Sequence, residues 1–200
     1  MRRFLAAASA GISVVALLGA CATGTDAVAT GGTFDFVSPG GKTEIYYDPP
    51  SERGTIGTLS GPDLMTEGDT TSLSDYEGKA VVINVWGQWC GPCRGEADDL
   101  EEVYENTKDL GVEFLGINVR DNAQDKAQDF VIDNKVTYPS IYDPPMRTLT
   151  ALGGIPTSVV PTTIVLDKKH RVAAVFLREL LAEDLQPVVE RVAGEGPEQQ

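Results

Sequence analysis

The chain is 200 residues long, with 30 acidic against 16 basic side chains for a net charge of −14, and 42% of it is hydrophobic. That length suits one domain and that composition an ordinary globular core. The acidic balance opposes binding to nucleic acid or to anionic lipid headgroups, so neither is an expected partner.

Arg2 and Arg3 precede an apolar run over residues 4–18, the charged start and hydrophobic stretch of an export signal. The run is short and rich in Ala and Gly, which argues against a retained transmembrane helix. Leu18-Gly19-Ala20-Cys21 resembles the lipobox of bacterial lipoproteins, in which the Cys becomes the lipidated first residue. Ordinary secretion is the alternative, since Ala20-Cys21-Ala22 also fits a small-x-small cleavage site; an unmodified mature terminus at Thr23 would exclude the lipid. Removing residues 1–20 takes both arginines and no acid, leaving 14 basic against 30 acidic side chains, or −16. Residues 22–32 are small and polar and read as a tether.

Residues 34–37 and 44–47 are expected to form two short strands around the Ser38-Pro39-Gly40-Gly41 turn. The compact domain is expected to span residues 54–194, with 21–53 as lipidated tether and β extension and 195–200 as a flexible tail. Residues 63–65 and 70–73 bracket Glu67-Gly68-Asp69 as a hairpin, and a turn over 74–79 leads into a buried strand at 80–86. A helix follows over about 92–108, with Ala97, Leu100, Val103 and Tyr104 at helical steps. Next come a strand at 112–118, a helix marked by Ala123, Ala127, Phe130 and Val131, and a short strand at 140–142. A brief helix over 146–152 stops at Gly153-Gly154. Residues 162–166 and 171–177 form a hairpin, and Leu181, Leu185, Val188, Val189 and Val192 mark the last helix. This order predicts an α/β fold, a mixed sheet with helices on both faces.

Trp89-Cys90-Gly91-Pro92-Cys93 stands where the buried strand at 80–86 hands over to a helix. The two-residue spacer lets the cysteines close a small disulfide ring, and the helix start offers unpaired N–H groups and a positive dipole end to a thiolate. A zinc site would need further ligands at ligand spacing, and only Cys21 and His170 remain. His170 falls in a hairpin turn and reads as a solvated turn residue. No metal and no bound cofactor are expected, because the dithiol is itself the redox group. Once Cys21 is set aside, one reactive pair is left and no structural disulfide framework, in keeping with an exported protein. On a helix, Glu96 shares a face with Cys93, and partial burial would raise its pKa and make it a proton acceptor for the thiols. The other reading is one more carboxylate in the acidic run with Asp98, Asp99 and Glu101, most of which fall on the outward face.

With this element order and active-site motif, residues 54–194 resemble the thioredoxin fold, and within it the exported ResA/TlpA-type thiol-disulfide oxidoreductases of cytochrome c maturation. Three features carry the closer resemblance: the export signal, Asn84 where thioredoxins bear a buried Asp, and Glu96 in a Cys-x-x-Cys-x-x-Glu pattern. The resemblance implies that Cys90 attacks a partner disulfide, Cys93 resolves the mixed disulfide and Glu96 manages the proton. It also implies a cis-proline beside the dithiol, preceded by a residue whose backbone pairs with the partner. Pro161, preceded by Val160, suits that place better than Pro156, because an uninterrupted strand follows it and choosing Pro156 would bury Pro161 inside that strand. Trp89 is expected to wall the partner surface and Trp86 to pack in the core. The implied substrate is a disulfide-bearing protein, apocytochrome c or a maturation factor; a membrane thiol carrier supplies electrons, and the lipid on Cys21 anchors the protein to the outer face of the cytoplasmic membrane.

Other readings are a general envelope reductase, a disulfide-forming oxidase and, outside enzymology, a Sco-type copper chaperone. Gly91-Pro92 lacks the His that strong oxidants commonly carry between their cysteines, and a neighbouring Glu96 carboxylate disfavours the thiolate. The copper reading has the wrong intercysteine spacing and a misplaced His, and a peroxidase reading lacks an isolated cysteine with neighbouring Thr and Arg.

Overall fold

The structure, a computed structural model, describes residues 28–156 and 158–196. The expected export signal, Cys21, residues 22–27 of the tether and residues 197–200 lie outside the described residues. In chain order the elements are β1 (Val28–Thr30), β2 (Glu44–Tyr46), β3 (Thr58–Pro62), β4 (Thr70–Ser72), β5 (Ala80–Trp86), α1 (Gly91–Thr107), β6 (Val112–Asn118), α2 (Gln124–Asp133), β7 (Ser140–Tyr142), β8 (Thr162–Leu166), β9 (Val172–Phe176) and α3 (Ala182–Ala193). Among the described residues they make a six-stranded sheet in the order β2-β9-β8-β5-β6-β7 and a three-stranded sheet, β1-β3-β4. The larger sheet is mixed, with β5, β6 and β7 parallel and β8, β9 and β2 antiparallel. This is the thioredoxin-like architecture with a β extension before it.

β5 lies at the centre and is buried along its whole length, as a near-continuous apolar run requires when both faces are covered. Strand alternation turns Val81, Ile83 and Val85 to one face and Ala80, Val82, Asn84 and Trp86 to the other. Leu100 and Val103 of α1 and Leu185, Val189 and Val192 of α3 close over the second face. Helices lie on both faces, though unequally. The first face is covered by a short 3-10 helix, Thr148–Leu152, together with Phe34, Ile56 and Leu59 from the chain before β5.

Three expectations are corrected. Residues 34–37 do not form a strand. Phe34 N–H donates to the Thr55 carbonyl and Phe36 N–H to that of Gly153, and Phe34 sinks into the core. β2 pairs instead with β9, because the exposed edge of a large sheet offers β2 a long-range ladder and a buried face for Ile45. The hairpin strand is Thr58–Pro62 rather than 63–65. Asp63 is turn-forming, its Oδ1 accepting from the N–H groups of Met65 and Thr66. Finally, Glu195 is not the start of a free tail, for it forms a bidentate pair with Arg53 at 2.6 and 2.7 Å.

Arg53 is the buried knot between the chain's two ends. Besides Glu195 it donates to Asp48 at 2.8 Å and to Asp167 at 3.3 Å. Substituting Arg53 by Met would leave the nearly buried Glu195 with Arg191 at 3.5 Å in place of its bidentate partner, while the fully buried Asp167 would keep Arg171 at 2.8 Å. Breaking a buried ion pair on one side costs about 3–5 kcal/mol, so R53M should unfold at markedly lower urea than wild type; an unchanged midpoint would show the knot to be neutral.

Candidate active site

β5 ends at Trp86, and the chain turns through Gly87, Gln88 and Trp89 before α1 begins. Cys90 N–H donates to the Gly87 carbonyl at 3.0 Å, closing that turn. A side chain at Gly87 would collide with the Trp89 indole, whose Nε1–H donates to the Val119 carbonyl at 3.0 Å. Asp121, which sequence reasoning missed, accepts from the Gln88 backbone N–H at 2.8 Å and from Asn118 at 2.7 Å. The loop after β6 thus serves as a template for the turn before α1.

Cys90 caps the N-terminus of α1, its Sγ accepting from the Cys93 N–H at 3.2 Å. Pro92 occupies the first turn, where its missing N–H leaves no helix bond unmade. Cys90 and Cys93 are joined in a disulfide, with Cα atoms 5.3 Å apart. Cys90 is more enclosed than a helix tip suggests. It is 4% exposed and Cys93 3%, so exposure does not separate the two sulfurs; their surroundings do. Cys90 adjoins the exposed residues Trp89, Gly91 and Pro92, and its Sγ lies 3.6 Å from the Val160 carbonyl oxygen. Cys93 faces inward onto a cavity of about 10 Å³ that Asn84, Trp86 and Tyr138 also line, room for roughly one water.

The Val160–Pro161 peptide bond is cis, and β8 follows at once. Among the described residues the other cis bond is Asp48–Pro49, not the one before Pro156. Trp89 is 43% exposed, with the Arg120 guanidinium 5.6 Å from its ring centroid. Trp86 is core, donating to the Ser140 hydroxyl at 3.2 Å and stacking on Phe130. That hydrogen bond fills the space where Gly116 would otherwise carry a side chain. His170 lies in the β8–β9 turn, at the far end of the sheet from the dithiol because β8 runs antiparallel to β5.

Glu96 is 1% exposed. Its Oε1 accepts from Asn84 Nδ2 at 2.9 Å and its Oε2 from the Leu180 N–H at 3.1 Å. Burial pushes its pKa up to about 8, against the two hydrogen bonds, which favour the carboxylate, and with some help from the charges of Glu179 and Asp99. Asn84 also donates to Thr163 at 3.1 Å, so β5, β8 and α1 converge on one polar group. An amide suits this place. Presenting its N–H to a carboxylate, or turning its oxygen toward a protonated carboxyl, it serves Glu96 in either state. Asn84 also lines the cavity beside Cys93, so one side chain both touches the Glu96 carboxyl and borders the space next to Cys93.

Residues 53–191 match the protein-family model described as Redoxin. The chain is 33% identical over 155 residues to the thiol-disulfide oxidoreductase ResA of Geobacillus thermodenitrificans, covering 74% of this chain and 85% of the relative. Among solved structures it resembles a secreted thiol-disulfide isomerase from Corynebacterium glutamicum, with a TM-score of 0.80 and 53% identity over 82% of this chain and 100% of that one. It also resembles a DsbF homologue from Corynebacterium diphtheriae, with a TM-score of 0.75 and 58% identity over 80% and 99% of the two chains.

Proposed function

The chain belongs to the Redoxin family and is a thiol-disulfide oxidoreductase acting on disulfide-bearing proteins, and from that premise we propose that it works as a tethered extracytoplasmic reductase through Cys90, Cys93 and Glu96. The observation that carries this reading is the buried carboxyl of Glu96, hydrogen-bonded to the Asn84 amide that also lines the cavity beside Cys93.

In the reduced protein the Cys93 N–H and the start of α1 stabilise a Cys90 thiolate. That thiolate attacks one sulfur of the partner disulfide, forming a mixed disulfide and expelling a partner thiolate, which takes up a proton. Cys93 then gives its proton to Glu96 and attacks Cys90, closing the Cys90–Cys93 bond and releasing the second partner sulfur as a thiolate, which takes up a proton in turn. Two electrons and two protons pass to the partner, and a membrane thiol donor returns them. Trp89, Val160 and Pro161 frame the approach to Cys90, with backbone at Val160 available to pair with an extended partner segment. The substrate this reading favours is apocytochrome c or a maturation factor, and the export signal with Cys21 places the protein as a lipoprotein on the outer face of the cytoplasmic membrane. Among the described residues no helix is long and apolar enough to cross a membrane.

A second reading has one observation in its favour: the 53%-identical relative is described as a secreted thiol-disulfide isomerase. One experiment separates the two. The reduced protein is mixed with an oxidised Cys-x-x-Cys-His peptide and, separately, with a scrambled multi-disulfide protein. Stoichiometric reduction of the peptide with little reshuffling supports the reductase. Catalytic reshuffling with a slow peptide reaction supports the isomerase.

A further inference from the structure

Gly95 sits inside α1, where glycine is the least helix-favouring residue short of proline. It makes no turn, so its use must lie in what it leaves vacant. A Cβ added there would overlap Oε1 of Glu179. The segment after β9 therefore addresses α1 residue by residue: the Glu179 carboxylate rests against Gly95, and the next residue, Leu180, donates its N–H to Glu96. This segment is held from both sides. Arg178 pairs with Glu44 and Asp184 and donates to the Glu179 carbonyl at 2.8 Å, while Ala182 N–H donates to Asp99 at 2.8 Å.

We propose that Gly95 and Glu179 form a charge notch that sets the proton affinity of Glu96, and with it the pH range over which the dithiol exchanges. Glu179 is a positioning residue acting through Glu96, and the inference rests on the reading of Glu96 as the proton acceptor. Around Glu96, β5 contributes the Asn84 amide, with Thr163 of β8 behind it. The loop before β7 contributes the Tyr138 phenol, which is electrostatically coupled to Glu96, and α1 itself contributes Asp99 and Cys93. The two hydrogen bonds from Asn84 and Leu180 favour the carboxylate, while the negative charges of Glu179 and Asp99 favour the neutral acid. Glu179 is the exposed member of this set, so it can be changed without opening the core.

Two variants remove the same charge by different routes. E179Q neutralises it in place. G95A improves the helix and displaces the carboxylate, which can swing away because it ends a flexible side chain. Glu96 is titrated by carboxyl-carbon NMR in the oxidised protein, where neither cysteine ionises. In low salt both variants should move its midpoint down by about half a pH unit, the scale of one solvent-screened neighbouring charge. The double variant should move it no further than either single one, because both act through one carboxylate. In about 1 M salt the difference from wild type should shrink. An unmoved midpoint in both variants, or a shift in G95A without one in E179Q, overturns the notch. The premise fails separately: if E96Q leaves the pH profile of exchange with oxidised glutathione unchanged, Glu96 is not the acceptor, while the NMR midpoints still decide whether the notch acts on it.

Discussion

The Glu96→Gln variant is expected to be more stable than wild type at pH 8 and slower in disulfide exchange, with both effects tied to one proton. Burial raises the pKa of Glu96 from 4.5 to about 8. Between those values the folded chain keeps a proton that the unfolded chain has lost. The unfolded state then binds fewer protons, so stability falls as pH rises from about 4.5 to about 8 and is level outside that window. Each unit is worth about 1.4 kcal/mol, so several kcal/mol of stability are given up across it. Gln keeps the shape and a hydrogen-bond acceptor for the Leu180 N–H, and Asn84 can turn its amide to meet it. Urea unfolding of the oxidised proteins should therefore agree near pH 4.5 and diverge by about 2–4 kcal/mol in favour of E96Q at pH 8. In the reduced proteins the same substitution should remove the inflection near pH 8 from the exchange rate. Parallel stability curves for the two proteins would mean that Glu96 ionises in the fold as easily as in water.

The two cysteines should fail in different ways. Cys90→Ser removes the attacking sulfur, and an alcohol is no nucleophile toward a disulfide at neutral pH. Turnover should fall by at least a thousandfold, on the order seen when other covalent nucleophiles are removed. Cys93→Ser leaves the attack intact and removes the resolving step, so it should accumulate a mixed disulfide at Cys90. Mass spectrometry of the trapped species reads the partner and the site together. An adduct at Cys93 in a Cys90→Ser protein, with normal rates, would reverse the assignment. The enclosure of Cys90 bears on this test. With 4% exposure its reaction depends on a partner seating against Trp89 and Val160, so a protein substrate should outrun a small disulfide of equal potential.

Sequence carries the centre of this fold better than its margins. The strand at 80–86 and the helix after it are legible because a buried run, a helix-start motif and a 3.6-residue pattern are local signals. The cis-proline itself comes from the resemblance, and the choice of Pro161 over Pro156 is legible because a proline cannot sit inside the strand that follows. The pairing of β2 is not. Residues 34–37 and 44–47 look like a hairpin to any local rule, yet Glu44–Tyr46 pairs with β9, more than a hundred residues away. Arg53 is equally silent in sequence, because nothing at Asp48, Asp167 or Glu195 marks three carboxylates as meeting one guanidinium. In the site, Glu96 stands out by its spacing from Cys93, but its burial depends on Leu180 and Asn84, which reach it from other elements. Asp121 had one weak signal, an acid just beyond a buried strand end, and Glu179 had none.

The direction of electron flow follows from the balance between the helix start, which favours a Cys90 thiolate, and the enclosure of Cys90 in apolar surroundings, which opposes one. The midpoint potential of the Cys90–Cys93 pair at pH 7, measured against glutathione or dithiothreitol buffers, weighs the two directly. A reversible two-electron transition below roughly −200 mV, on the reducing side of protein disulfide isomerase, is the expected result. A value near −120 mV, that of a strong oxidant, would contradict the reductase and make the protein a donor of disulfides.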